Sequence, residues 1–192
     1  MDERSAAIVM LAGGQARRFP GKLEQPIGGE PMILRCYRNM RATGLPIYIA
    51  ARERFSCDVD AQLDATFLID RDPAGGPLRA FASACDTIGA ERCFAIAADQ
   101  PCLHASILLR LLAAWRPGDE AVVPIHDERI EPLAALYDRA AVVREDPGLR
   151  HDGKAAMHDL VERVATRFVP IEAEHFYNVN RPGDVAGAAP RG

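Results

Sequence analysis

The chain has 192 residues, 48% of them hydrophobic and 26% charged, and a formal net charge of −4. That is enough apolar side chain for one well-packed domain of ordinary size, expected to span 1–192, and too short a chain for two. The slightly acidic balance gives no bulk attraction to nucleic acid or to an anionic membrane, so neither is expected as a partner.

The N-terminus, "MDERSAAIVMLAGG", opens with mixed charge, and its apolar run is too short for a signal peptide or a membrane span. "AAIVMLA" (6–12) predicts a buried strand. "PMILRCYRNMRATG" (31–44) has proline first and glycine last, the asymmetry of a helix. "PIYIAA" (46–51) and "TFLID" (66–70) read as the next strands, and "PLRAFASACDTIG" (77–89) as another proline-to-glycine helix. "RCFAIAAD" (92–99) is continuously apolar up to its last residue, which suits a central strand covered on both faces. "HASILLRLLAAW" (104–115) has helical periodicity and ends on Trp115, a packing residue.

"EAVVPI" (120–125) and "LAALYD" (133–138) look like strands, the first with a proline that points to a sheet edge or a strand end. "KAAMHDLVERVA" (154–165) is a helix and "RFVPI" (167–171) a short strand. This order argues for a mostly parallel, doubly wound α/β sheet. Ligands of such sheets bind beyond the carboxyl ends of the strands, and those ends set the search.

The first strand runs into "LAGGQARRFPGK". Gly13 and Gly14 permit close backbone approach, and backbone N–H groups in such a turn can cradle phosphate oxygens. Arg17, Arg18 and Lys22 add cationic donors. The stretch is neither a Walker A loop nor a Gly-x-Gly-x-x-Gly motif, and by itself it reads equally as a solvated strand–helix loop. Asp70, at the third strand end, either accepts from a base N–H or serves a turn in "DRDPAGG". Asp99, in "AADQP", follows a central strand directly and lies too far upstream to cap the next helix; a hard carboxylate there suits Mg²⁺ shared with substrate phosphates. In "FYNVNRPGD", Asn178 and Asn180 share one face of an extended segment and Val179 takes the other. The paired amides suit a phosphate, a metal-bound water or a base, or simply a turn. The histidines, His104, His126, His151, His158 and His175, show no metal-ligand spacing. No Gly-x-Ser-x-Gly elbow is present, which argues against an α/β-hydrolase. The five cysteines are widely spaced without a Cys-x-x-Cys pair and read as reduced cytosolic thiols, so the cytoplasm is the expected location.

Taken in order, six segments resemble the molybdenum cofactor guanylyltransferase (MobA) family of the nucleotidyltransferase superfamily: "LAGGQARRF…K", "KLEQPIGGEPMI", "IDRDPAGGPLRA", "AADQP", "EPLAALYD" and "FYNVNRPGD". The resemblance implies a single-domain, three-layer α/β/α fold with a Rossmann-like sheet of the nucleotide-diphospho-sugar transferase type. It implies that Leu11, Ala12, Gly13 and Gly14 contact the nucleotide through the backbone, that Arg18 and Lys22 bind GTP phosphates, and that Asp70 helps recognise guanosine. Asp99 would hold Mg²⁺, and Asn178 and Asn180 would line the place where the phosphate of a molybdopterin-type cofactor arrives. The implied reaction transfers GMP from GTP to that phosphate and releases pyrophosphate, with transient contact to cofactor-synthesis or acceptor molybdoenzymes. A cytidylyltransferase for the same cofactor, another small-molecule nucleotidyltransferase and a non-catalytic cofactor-delivery protein are the alternatives. This chain departs from the family in a shorter "FPGK" loop with Gly21 in place of an acid, in Arg79 and Ala80 after Gly-Pro-Leu, and in Arg181 and Gly183 near the end.

Overall fold

The computed structural model describes residues 6–13, 21–69, 75–151 and 156–184. Three residues of the expected site, Gly14, Arg18 and Asp70, and the neighbouring Arg17 lie outside the described residues.

The strand alternation of β1 (Ala6–Leu11) already divides the molecule into two cores. Ile8 and Met10 point into one and Ala7 and Val9 into the other, all of them buried, as the two-residue period of a strand requires. Around β1 the described residues form an eight-stranded sheet. Its further strands are β4 (Ile47–Ala51), β5 (Thr66–Ile69), β6 (Arg92–Ala97), β7 (Ala121–His126), β8 (Arg129–Ile130), β9 (Ala134–Asp138) and β10 (Thr166–Pro170). The order is β10-β7-β9-β6-β1-β4-β5, with β8 paired to β7. Pairing is parallel throughout β6-β1-β4-β5 and between β10 and β7, and antiparallel wherever β9 or β8 takes part. A small separate hairpin joins β2 (Pro26–Ile27) to β3 (Glu30–Pro31).

Helices cover both faces. Helix α1 (Met32–Arg41) and helix α4 (Ala105–Ala114) bury Met32, Ile33, Met40, Ile107 and Leu111 in the first core. Helix α3 (Gly76–Thr87), helix α5 (Arg139–His151) and helix α6 (Met157–Arg163) bury Leu78, Phe81, Val142, Leu149 and Leu160 in the second. Helix α2 (Cys57–Asp60) is a single turn. The architecture is the expected three-layer α/β/α arrangement on a mostly parallel sheet.

Two expectations need correction. The proline of β7 does not mark an edge, since β7 lies between β10 and β9. Pairing with β9 covers only Ala121 and Val122, and the chain between β8 and β9 bulges away opposite Pro124, whose carbonyl accepts from Glu131 N at 3.0 Å. On the β9 side no amide donor is required of Pro124, and an internal strand tolerates a proline at such a break. The segment "RAAVVREDPGLRH", to which the sequence reading assigned no element, is helix α5 with Pro147 inside it. Its start is marked by Asp138, whose Oδ1 accepts from Ala141 N at 2.7 Å as a helix N-cap.

Arg79, one of the departures from the family pattern, donates twice from Nη1 to Asp146, at 3.0 and 2.8 Å, tying α3 to α5. Asp146 is only 6% exposed, so the contact with the guanidinium is made in a place largely shielded from water. Asp146→Ala removes both of these charge-assisted hydrogen bonds and is expected to cost about 2 kcal/mol of stability in chemical denaturation. The two-residue turn joining β7 to β8 places Asp127 at φ 44° and Glu128 at φ 62°, the left-handed pair of a type I′ hairpin. Neither residue suits that region as glycine does. Glu128→Gly is expected to stabilise the fold by about 1 kcal/mol and raise Tm by about 2–4 °C in a thermal melt.

Candidate active site

Strands β1 and β6 lie side by side in parallel register, Leu11 beside Ala97, so their carboxyl ends finish at one level. Ala98 N donates to Leu11 O at 3.2 Å and Ala12 N to Ala50 O at 2.8 Å, which fixes the first residues beyond the strands. Leu11, Ala12 and Gly13 therefore leave the sheet next to the segment that carries Asp99.

Lys22 opens a short 3-10 turn, Lys22–Glu24, preceded by Gly21 at φ 67°. A glycine is favoured at this left-handed position, which gives the departure from an acidic residue a local reason. The Lys22 ammonium reaches across to pair with Asp99 Oδ2 and also donates to Val179 O at 3.4 Å. Both charged side chains are largely shielded, 16% and 19% exposed.

Asp99 is held from its other side by backbone. Its carbonyl accepts from Val179 N at 3.0 Å, which draws the C-terminal segment onto the end of β6. Val179 is fully buried, and Asn178 and Asn180 turn the opposite way into the same cleft as Asp99, as their alternation predicts. The turn after Asp99 is clamped to α1 by Asn39, whose Nδ2 donates to Pro101 O and Leu103 O, each at 3.1 Å.

The cleft has a volume of about 1070 Å³. Asp99, Gln100, Asn178 and Asn180 form one wall; the β7–β8 hairpin supplies Glu128 and Arg129, and the start of α6 supplies His158 and Asp159. These last four, with Gln100 and Glu131, are the polar lining groups that sequence reasoning missed. Only the position of Gln100, next to Asp99, could have singled one out. The Gln100 side-chain oxygen is buried with no hydrogen-bond partner among the described residues, an acceptor beside Asp99 that a ligand or water can satisfy.

Behind the cleft, His126 Nε2 lies 3.0 Å from Glu131 Oε1, and its ring stacks on Phe176 with centroids 5.3 Å apart. This braces the chain just before Asn178. On the far side, the Asp184 carboxylate accepts from Asn180 N and Arg181 N, both at 2.8 Å. Those amides, Asn180 first, hold the Asp184 carboxyl below its ordinary value of 3.8.

Among the described residues no group of three or more His, Cys, Asp or Glu side chains could enclose a metal ion. A carboxylate that already faces a cationic group, in a cleft also lined by Gln100 with its orphaned oxygen, nevertheless fits Mg²⁺, which commonly takes one or two protein carboxylates and completes its shell with phosphates and water. Among the described residues, no helix is long and apolar enough to cross a membrane.

Residues 8–166 match the family model described as the MobA-like NTP transferase domain. The chain is 32% identical over 190 residues to a protein of Opitutus terrae named "probable molybdenum cofactor guanylyltransferase", covering 93% of this chain and 92% of that one. A protein of the same name from Pelotomaculum thermopropionicum is 26% identical over 192 residues, covering 95% and 91%. The crystal structure of molybdopterin-guanine dinucleotide biosynthesis protein A from Archaeoglobus fulgidus superposes with a TM-score of 0.77 at 23% identity, covering 95% of this chain and 96% of that one, which shows a shared fold.

The depressed Asp184 carboxyl has a pH consequence. Because its folded value lies below the unfolded one, its contribution to order is complete above the ordinary value and disappears as pH falls through the lower, folded one. The amide resonances of Asn180 and Arg181 are expected to titrate together with a midpoint below 3.8, and to stay constant from neutral pH down to that region, when followed by NMR.

Proposed function

The chain belongs to the MobA-like NTP transferase family and is a nucleotidyltransferase, and from that premise we propose that it transfers GMP from GTP to the phosphate of a molybdopterin-type cofactor with the help of Mg²⁺. The observation that carries this reading is Asp99. It stands at the end of a central strand and opens onto a cleft whose same wall presents Asn178 and Asn180.

In this reading the nucleotide lies over the end of β1, against the backbone of Leu11, Ala12, Gly13 and Gly14, with Asp70 directed to the guanosine part. Arg18 and Lys22 receive the triphosphate. The acceptor enters the 1070 Å³ cleft, and the amide N–H groups of Asn178 and Asn180 donate to its phosphate. A phosphate oxygen of the acceptor forms the new bond to the α-phosphorus of GTP. The bond from that phosphorus to the β-phosphate oxygen breaks, and pyrophosphate departs with the electron pair.

The attacking phosphate is already an anionic nucleophile, so no strong general base is needed. The barrier is repulsion between two polyanions and the demand for in-line geometry. Asp99 would hold Mg²⁺, and the ion would supply neutralisation of phosphate charge. The rigid frame around Asp99, from Val179 on one side and Asn39 on the other, supports this role because positioning contributes most when the group cannot drift.

Labelled GTP and CTP offered separately with the cofactor test the assignment. Incorporation of label from GTP is expected, and incorporation from CTP alone overturns the guanylyl reading. Asp99→Ala is expected to lower transfer by about 100-fold or more while the circular dichroism spectrum stays unchanged. Full turnover by a folded Asp99→Ala protein would remove Asp99 from the mechanism.

A further inference from the structure

We propose that Lys22 and a divalent cation compete for the Asp99 carboxylate, so that the cation is admitted when phosphate oxygens draw the lysine away. The inference rests on the nucleotidyltransferase reading above and concerns how that site is filled.

The first support is charge. The Asp99 carboxylate is 19% exposed and meets the Lys22 ammonium, itself 16% exposed. A carboxylate so shielded from water needs a cation beside it, and so does the ammonium need an anion. A divalent ion bound at Oδ2 would take the position of the ammonium and repel it. The two cations are therefore alternatives at one oxygen, and the lysine leaves only when another anion accepts it. Nucleotide phosphates are that anion.

The second support is mechanical. Asp99 is immobilised by its backbone bond from Val179 N at 3.0 Å and by the Asn39 clamp on the turn that follows. The backbone near Lys22 is also anchored. Glu24, two residues on, accepts from Ser56 Oγ at 2.6 Å and from Ser56 N at 3.2 Å, and Leu23 packs against the first core. What remains free to move is the four-carbon stem of Lys22, with rotatable donors at its tip. Its second contact, the 3.4 Å bond to Val179 O, is long and gives little resistance. Exchange of cations at Asp99 thus requires a side-chain rotation and no backbone rearrangement.

Linkage then makes the coupling reciprocal: phosphate binding raises the affinity of Asp99 for the cation, and the cation raises the affinity for phosphate. The protein without nucleotide discriminates against free metal ions, which suits a site meant to receive metal and triphosphate together.

The test is a Mn²⁺ titration of the full chain without nucleotide, followed by the electron paramagnetic resonance signal of free Mn²⁺. Lys22→Met is expected to bind Mn²⁺ about tenfold more tightly than the parent protein. That gain is expected to vanish in the double variant Lys22→Met/Asp99→Asn. Lys22→Gln serves the same purpose should the methionine variant fail to fold. Equal or weaker Mn²⁺ binding in the folded Lys22 variants, no binding in any of them, or a gain that survives Asp99→Asn would each overturn the competition. The titration uses neither GTP nor acceptor. Failure of GMP transfer therefore leaves the competition standing, and an unchanged Mn²⁺ affinity alongside intact transfer overturns the competition alone.

Discussion

The parallel pairing of β1 with β6 is the constraint on which the site depends. Leu11 lies beside Ala97, and Ala98 N donates to Leu11 O, so two segments separated by most of the first half of the chain emerge together at the carboxyl end of the sheet. Everything polar that follows exploits this adjacency. Lys22 meets the Asp99 carboxylate just beyond the end of β6. Val179 can close on Asp99 because β6 ends there and leaves a free carbonyl. A slip of register by one residue would turn the strand's apolar set to the opposite core, so the buried faces of β1 and β6 enforce the alignment that brings the site together.

At that end the protein concentrates charge that its overall composition does not show. The net charge of −4 describes the surface as a whole, while the site pairs a shielded ammonium with a shielded carboxylate. Such a pair is a modest source of stability, because both ions lose water to form it. Its value is that neither ion is tolerated alone. The same demand for a partner that ties Lys22 to Asp99 is what the proposed exchange of cations at Asp99 would draw on.

The rest of the cleft is built by different means. The hairpin bearing Glu128 and Arg129 holds two non-glycine residues in left-handed conformations, and strain of this kind persists where surrounding structure over-determines it. His126, stacked on Phe176 and bonded to Glu131, and Asp184, collecting two backbone amides, brace the asparagine segment from either side. The residues that share the cleft thus rest on different supports, Asp99 on sheet register and the asparagine segment on side-chain braces.

Much of this was legible in the residues themselves. The apolar runs ending in Leu11 and Asp99 predicted buried strands because covering both faces demands continuous hydrophobicity, and the Asn178–Val179–Asn180 alternation predicted which side chains face the cleft because a strand period is two. The segment of helix α5 was assigned no element, although the Asp138 cap announced its start, and the proline of β7 misled because a bulge in the neighbouring chain can release a strand residue from donating as well as a sheet edge can. Local pattern determined the elements and the candidate residues at their ends, since period, caps and turn chemistry act over a few positions. Only the tertiary structure decided that Lys22 pairs with Asp99, that Gln100, Arg129 and His158 share the cleft, and that Arg79 is matched by Asp146. Those contacts join positions far apart in the chain, and no local periodicity encodes which distant charge a folded backbone will bring within reach.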